Sequence, residues 1–301
     1  VTSPPIHTRF DSLQKTIKVR EVPHISDRED GTLCFTQEDG MIQHIAAESC
    51  RLDLLPEDLL SFEHLEKLFI GRNHLTRCPD SLERLRQLKE LYIYGNKLKA
   101  LPDSIGTLTE MEILDLSHQP LESLPQTIGQ LRKLKILYAS NSQINDLPES
   151  LWSLPALQYL NLTNNRLNCL PSAVQNLWAL RELRLYNNHL TSLPDELCTL
   201  VTLRELYLQG NQITQLPDAI GNLESLEVLD LRNNGIEEIP DSLGGAYNLI
   251  HLDLRANKFI ELPSSIRDLP NLRKLDLRWT RLRNPPRWLD ELEENGCAVY
   301  L

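Results

Sequence analysis

Asp115, Ser117 and His118 stand within one short stretch and offer a carboxylate, a hydroxyl and an imidazole, the groups of nucleophilic hydrolysis. Their spacing argues against that use. In an extended segment alternate side chains part to opposite faces, and nothing in the neighbouring sequence encloses them from water. No G-x-x-x-x-G-K-[ST] or G-x-G-x-x-G loop is present to cradle a phosphate, and no C-x-x-C or His/Cys cluster to hold zinc. No catalysis, cofactor, metal or small-molecule substrate is expected. The other chemistry-bearing residues are tyrosines and arginines, the types enriched where one protein grips another, because an aromatic ring buries much area with few torsions to freeze.

The elements that position these residues are set by a strict repeat. Leu65, Leu88, Met111, Leu134, Leu157, Leu180, Leu203, Leu226, Leu249 and Leu272 are 23 residues apart, and Ile42 extends the series back by one step. Fourteen residues after each start stands a proline, from Pro56 and Pro79 through to Pro263 and Pro286. Each register fits L-x-x-L-x-L-x-x-N-x-L, which predicts a short strand with its leucines turned inward, then a return segment on the other side. An acid follows the proline in seven registers, Glu57, Asp80, Asp103, Glu149, Asp195, Asp218 and Asp241. That is the signature of a helix start, with proline at the first position and a carboxylate at the positive end of the dipole.

Period-2 geometry turns the third, fifth, seventh and eighth positions of the motif to the face opposite the spine, expected to be concave. The fifth column reads Ala46, Phe69, Tyr92, Asp115, Tyr138, Asn161, Arg184, Tyr207, Asp230, Asp253 and Asp276. The seventh includes Tyr94, Tyr186, Arg232, Arg255 and Arg278, and Tyr159 holds a third position. These columns are zoned. Phe69, Tyr92, Tyr138, Tyr186 and Tyr207 are expected to form a contiguous exposed aromatic patch, with Tyr94, Tyr159, Asn161 and Arg184 beside it. Asp230, Asp253 and Asp276 beside Arg232, Arg255 and Arg278 are expected to form an exposed lattice whose pairs contribute about 0–1 kcal/mol each, so that reversing the arginines leaves the melting temperature nearly unchanged. His44, His118 and His251 lie roughly 14 and 29 Å apart at about 4.8 Å per strand, too far to share a metal.

Residues 1–41 precede the repeat and read as an N-terminal cap and linker, with helical spacing in RFDSLQKTIKV and a strand and turn in GTLCFTQEDG. Residues 42–286 hold the repeats, and residues 287–301, RWLDELEENGCAVYL, read as a C-terminal cap with Trp288 sealing the last apolar layer. The registers beginning at Met111 and Leu134 depart from the rule: Gln119 and Ser142 replace the ladder asparagine, Ala139 a strand leucine, and Pro120 follows Gln119. The 301 residues carry a formal net charge of -11, which argues against a nucleic-acid or membrane partner held by a basic face. Six scattered cysteines without flanking pairs fit a reducing, cytoplasmic compartment, and no apolar run of transmembrane length occurs.

The repeat as it stands in LKELYIYGNKLKALPDSIGTL resembles the intracellular 23-residue class of leucine-rich repeat proteins, found among plant Ras-group proteins, animal Ras-binding scaffolds and bacterial members. The resemblance covers residues 42–286. It implies an α/β solenoid, a leucine-rich repeat horseshoe with a parallel concave sheet, about eleven repeats and a cap at each end. It further implies a non-enzymatic scaffold that takes a protein partner. The alternative is the substrate-selecting arm of a larger enzyme such as a ubiquitin ligase or kinase, including an effector secreted by a bacterium into a host cell. The shared motif residues are spine residues, so the resemblance names no partner.

Overall fold

The computed structural model describes residue 10 and residues 17–301. The helical reading of RFDSLQKTIKV falls largely outside these residues. The described residues form two compact units, the first reaching to 143 and taking in 147–154, the second made of 144–146 and 155–301. Each is an α/β solenoid.

In the first unit, β1 (Lys18–Glu21), β2 (Thr32–Glu38), β3 (Met41–Ala46), β4 (Lys67–Phe69), β5 (Glu90–Tyr92), β6 (Ile113–Asp115) and β7 (Ile136–Tyr138) lie side by side in chain order. Pairing is parallel except between β2 and β3, which run antiparallel with a bulge at Thr36 and Gln37. In the second unit β8 (Tyr159–Asn161), β9 (Glu182–Arg184), β10 (Glu205–Tyr207), β11 (Val228–Asp230), β12 (His251–Asp253), β13 (Lys274–Asp276) and β14 (Ala298–Tyr300) are all parallel. Equivalent residues pair, Leu68 with Leu91 and Leu206 with Leu229, so each spine leucine stacks on its counterpart one repeat away. Leu68, Leu91, Leu114, Leu183, Leu206 and Leu229 are all fully buried. That stack is the core of each unit, and its burial supplies the main stabilisation.

The return segments correct one expectation. From Pro56 to Pro263 each repeat proline stands before a short 3-10 turn rather than opening an α-helix, as in Asp103–Thr107 and Asp195–Thr199, and only Pro286 precedes an α-helix. The prolines that cap these turns keep an extended ψ, near 154° at Pro102 and 145° at Pro194, and so sit outside the turn. Each turn is at most five residues long before the chain bends back toward the next strand, as Asp103–Thr107 does ahead of Ile113, a run too short for an α-helix to recover its nucleation cost. The one α-helix among the described residues, α1 (Trp288–Glu294), precedes β14 and buries Leu289 and Leu292.

Between strand and return, the ladder asparagines bind backbone that would otherwise be orphaned. Asn73 accepts from the Leu52 N–H at 3.1 Å and donates to the carbonyls of Ala47 and Ile70 at 2.7 and 3.0 Å. Asn188 does the same with Leu167, Leu162 and Leu185 in the second unit. Gln119 breaks this pattern. Its amide reaches the Leu116 carbonyl at 2.8 Å, but its buried Oε1 has no partner among the described residues. One methylene too many moves the carbonyl out of register. Ser142, shorter than asparagine, reaches only the Ser140 carbonyl.

Candidate functional site

The fifth and seventh columns have three different environments. At the start of the first unit the cap closes over them. Phe69 is 7% exposed, stacked flat on Tyr92 with ring centroids 4.6 Å apart, and the Arg28 guanidinium lies 4.5 Å above it. Arg28 in turn donates from Nε to Glu48 at 2.6 Å, and Glu48 is 4% exposed. Tyr94 completes the cluster by donating its hydroxyl to Glu48 at 2.7 Å. Gly71 makes this reach feasible, since its missing side chain leaves the space over which the Tyr94 ring lies. Burial, then the bond to Glu48, pushes the Tyr94 phenol up to about 12.

This corrects the expected exposed patch on two counts. Phe69 is core, covered by a residue of the cap. Asp115 also intervenes in strand register between Tyr92 and Tyr138, so the first unit presents no unbroken row of rings. Asp115 accepts from the Ser117 N–H at 3.0 Å, and burial raises its pKa. His118 is exposed in the left-handed region, at φ 59°, while the Ser117 hydroxyl lies against Asp115 and accepts from that of Ser140 at 3.1 Å.

The first strands of the second unit, β8 to β10, are open. Tyr159, Asn161, Arg184, Tyr186 and Tyr207 are all half-buried. The Arg184 guanidinium stands 5.7 Å from the Tyr159 ring and 4.9 Å from that of Tyr207, and it pairs with Glu182. Tyr186 meets Tyr207 edge to face at 5.3 Å. The Tyr207 hydroxyl donates to Glu205 at 2.6 Å, and Asn161 donates to the Tyr159 hydroxyl at 3.3 Å. Burial raises the Tyr186 phenol to about 12 and lifts that of Tyr207 as well, where the Glu205 bond adds to it. The result is a set of rings and one cation fixed by strand geometry and by their own hydrogen bonds. Glu182 and Glu205, which hold it in place, were not singled out in the sequence, although both occupy the third position of their repeats.

In the last repeats Asp230 and Asp276 turn out to be buried and Asp253 half-buried. Asp276 is 0% and Asp230 6% exposed, against the expectation of a solvent-facing lattice. Each Asp side chain caps its own strand end: Asp230, Asp253 and Asp276 accept from the N–H groups of Arg232, Arg255 and Arg278 at 3.2, 3.2 and 3.4 Å. That is a local bond short polar side chains make readily, and it draws the carboxylate down against the backbone. The arginines then fold over. Arg278 binds both oxygens of Asp276, at 2.9 and 2.7 Å, and Arg255 binds Asp253 at 2.5 Å and approaches Asp276 at 3.3 Å. Burial opposes ionisation of Asp276, but Arg278 and Arg255 together outweigh it and hold its pKa below the usual carboxylate value. Arg232 stands 3.2 Å from Asp230 with its Nε misaimed and unbonded, and there burial prevails and raises the aspartate.

Among the described residues no His, Cys, Asp and Glu group could hold a metal, and no helix is long and apolar enough to cross a membrane. A model of the leucine-rich repeat region matches residues 42–151 and 192–294, and a single-repeat model matches 156–177 and 179–200. The chain belongs to the leucine-rich repeat family. Among solved structures it is similar to a TDR receptor, at 27% identity over 82% of this chain and 44% of the receptor, with a TM-score of 0.75. It is also similar to the plant peptide hormone receptor RGFR1 in complex with RGF2, at 27% identity over 80% and 44%, with a TM-score of 0.67. An internalin (inlF) from Listeria monocytogenes matches at 24% identity over 81% and 75%, with a TM-score of 0.66, a likeness of fold. The leucine-rich repeat chain thus spans under half the length of either receptor. No curated protein sequence matches it.

Proposed function

We propose that this leucine-rich repeat chain is a non-catalytic recognition scaffold that takes a protein or peptide on the open sheet face of its second unit. The carrying observation is the cluster of Tyr159, Arg184, Tyr186 and Tyr207, half-exposed side chains held rigid by β8, β9 and β10. Rigid aromatic and arginine anchors bind well because little rotamer freedom is lost on contact. The plant receptor solved with RGF2 supports a peptide or protein as the class of ligand. Leucine-rich repeat proteins are generally binding scaffolds rather than enzymes, which supports the non-catalytic reading.

The 23-residue spacing supports placing the chain in the intracellular class, and six free cysteines support a reducing compartment. The test is a photo-crosslinking amino acid at position 187, beside Tyr186, to trap the partner, followed by calorimetry with the purified pair. Tyr186→Ala and Tyr207→Ala should each weaken binding by about 2 kcal/mol. Changes below a few tenths of a kcal/mol in both, with binding intact, would remove this cluster from the site.

A further inference from the structure

The irregular repeat opens a second surface, on the flank of the first unit where the chain leaves the strands. A hollow of about 730 Å³ lies there, floored by Cys78, Leu101, Pro102 and Pro120. Pro120 occupies a position that holds Lys97 in the preceding repeat and Gln143 in the following one. A short ring in place of a long polar side chain leaves the space open and its wall apolar. Around the rim stand Arg77, Lys97 and Lys99. All three are exposed, and none makes an ion pair or side-chain hydrogen bond among the described residues.

The same flank in the second unit has the opposite character. Two hollows of about 410 and 420 Å³ are rimmed by Asp218, Glu237, Glu238, Asp241 and Glu261. Three unpaired cations gathered on a chain of net charge -11 therefore contrast with their surroundings, and they enclose apolar surface rather than a flat basic plane. We propose that this hollow binds a short acidic peptide segment bearing an aliphatic or aromatic anchor, the anchor on the Leu101, Pro102 and Pro120 floor and its flanking carboxylates at Arg77, Lys97 and Lys99. A polyanion such as RNA, or an anionic membrane, would meet the cations but leave the apolar floor unused. The volume suits one or two side chains of a peptide. Carboxylates beside the anchor would set its register and speed its encounter.

The experiment is selection from a random dodecapeptide library against the whole chain, followed by fluorescence anisotropy with the selected peptides, 20-mer RNA and phosphatidylserine vesicles. Selected peptides should place Asp or Glu around an apolar residue. Their binding should weaken at least about tenfold in the Lys97→Glu, Lys99→Glu double variant and fall as salt rises. Both residues are exposed, so circular dichroism should show the fold unchanged. Pro120→Lys separates the two halves of the idea, because it adds a cation while filling the apolar wall. The proposal expects weaker peptide binding in that variant, whereas stronger binding would reveal a simple charge magnet and overturn it. Peptides without acidic residues, binding indifferent to the double reversal, or tighter binding to RNA or vesicles than to any peptide would also overturn it.

Discussion

The start of the first unit and the end of the second use the same two columns of the repeat to opposite ends. At Glu48, Gly71 and Tyr94 the seventh column is a buried carboxylate, a gap and a ring that crosses the gap, all under an arginine from the cap. At Arg232, Arg255 and Arg278 it is a row of cations leaning onto the fifth-column aspartates. On β8 to β10, by contrast, Tyr159, Arg184, Tyr186 and Tyr207 stay half-exposed. Position in the repeat therefore sets the direction of a side chain, while its neighbours decide whether water reaches it. A cation shared by two low-exposure carboxylates is also where a single substitution does most harm.

The largest expected effect follows from that. Arg255 is 17% exposed and holds Asp253 and the fully buried Asp276. Arg255→Glu would set a carboxylate among Asp230, Asp253 and Asp276, and it should cost about 3–5 kcal/mol, because breaking a buried pair leaves a charge without compensation. Urea denaturation followed by circular dichroism measures it. A midpoint equal to that of the native chain would mean that the aspartates are solvated after all, and the contrast with the tyrosine cluster would vanish. The earlier expectation of an unchanged melting temperature rested on exposed pairs, which these are not.

A smaller loss is expected at the other closed region. A Cβ on residue 71 would lie 2.6 Å from the Tyr94 ring, so Gly71→Ala should displace the ring, release its bond to Glu48 and cost about 1–3 kcal/mol. Gly235→Ala makes the comparison sharp. There the nearest atom would be 3.4 Å away, a backbone oxygen of Ile213, and the change should stay within about 0.5 kcal/mol. Equal effects at the two glycines, read from paired thermal melts, would deny that Tyr94 depends on the gap.

The leucine spine, the strand register and the placing of the columns could be read from the sequence, because burial of Leu68 or Leu206 depends only on a pattern that recurs every 23 residues. The fate of Phe69 could not. It depends on Arg28, a residue of the irregular cap that no repeat predicts, although a glycine at 71 between Glu48 and Tyr94 was a signal that a side chain crosses there. The aspartates misled for a different reason. An acidic residue on a strand face reads as solvated, but each here bonds the N–H two residues on and is drawn beneath the following arginine.

The ladder offers a gain in place of a loss. Gln119 leaves its Oε1 unsatisfied where Asn96 accepts from the Leu75 N–H at 3.0 Å. Gln119→Asn should restore that acceptor position and stabilise the chain by about 1 kcal/mol. Hydrogen exchange at Leu98, the amide the restored oxygen would meet, should slow in the variant. No change in exchange there would show that the repeat is distorted by Pro120 rather than by the length of the glutamine.

The smallest effect separates two aspartates of one column. Asp230 has its pKa raised by burial, with the misaimed Arg232 compensating only in part, whereas Asp276 has its pKa lowered by Arg278 and Arg255 against the cost of burial. The signs differ accordingly. A carboxyl raised in the fold binds its proton more readily folded than unfolded, so its ionisation reduces stability as pH climbs from below the unfolded value, about 3.9, through the folded one. A carboxyl lowered in the fold adds stability above about 3.9 that is lost as pH falls through its folded value. Asp230→Asn keeps the oxygen that accepts from the Arg232 N–H and removes the penalised charge, so at pH 7 it should be neutral or stabilising by no more than about 1 kcal/mol. That difference should disappear at pH 3, where the native aspartate is itself protonated. Asp276→Asn should destabilise at pH 7, and its deficit should shrink only once the pH falls below the unfolded value. Urea midpoints of both variants from pH 3 to 8 distinguish the cases, and parallel curves would mean that how well each arginine is aimed makes no difference to the aspartate beneath it.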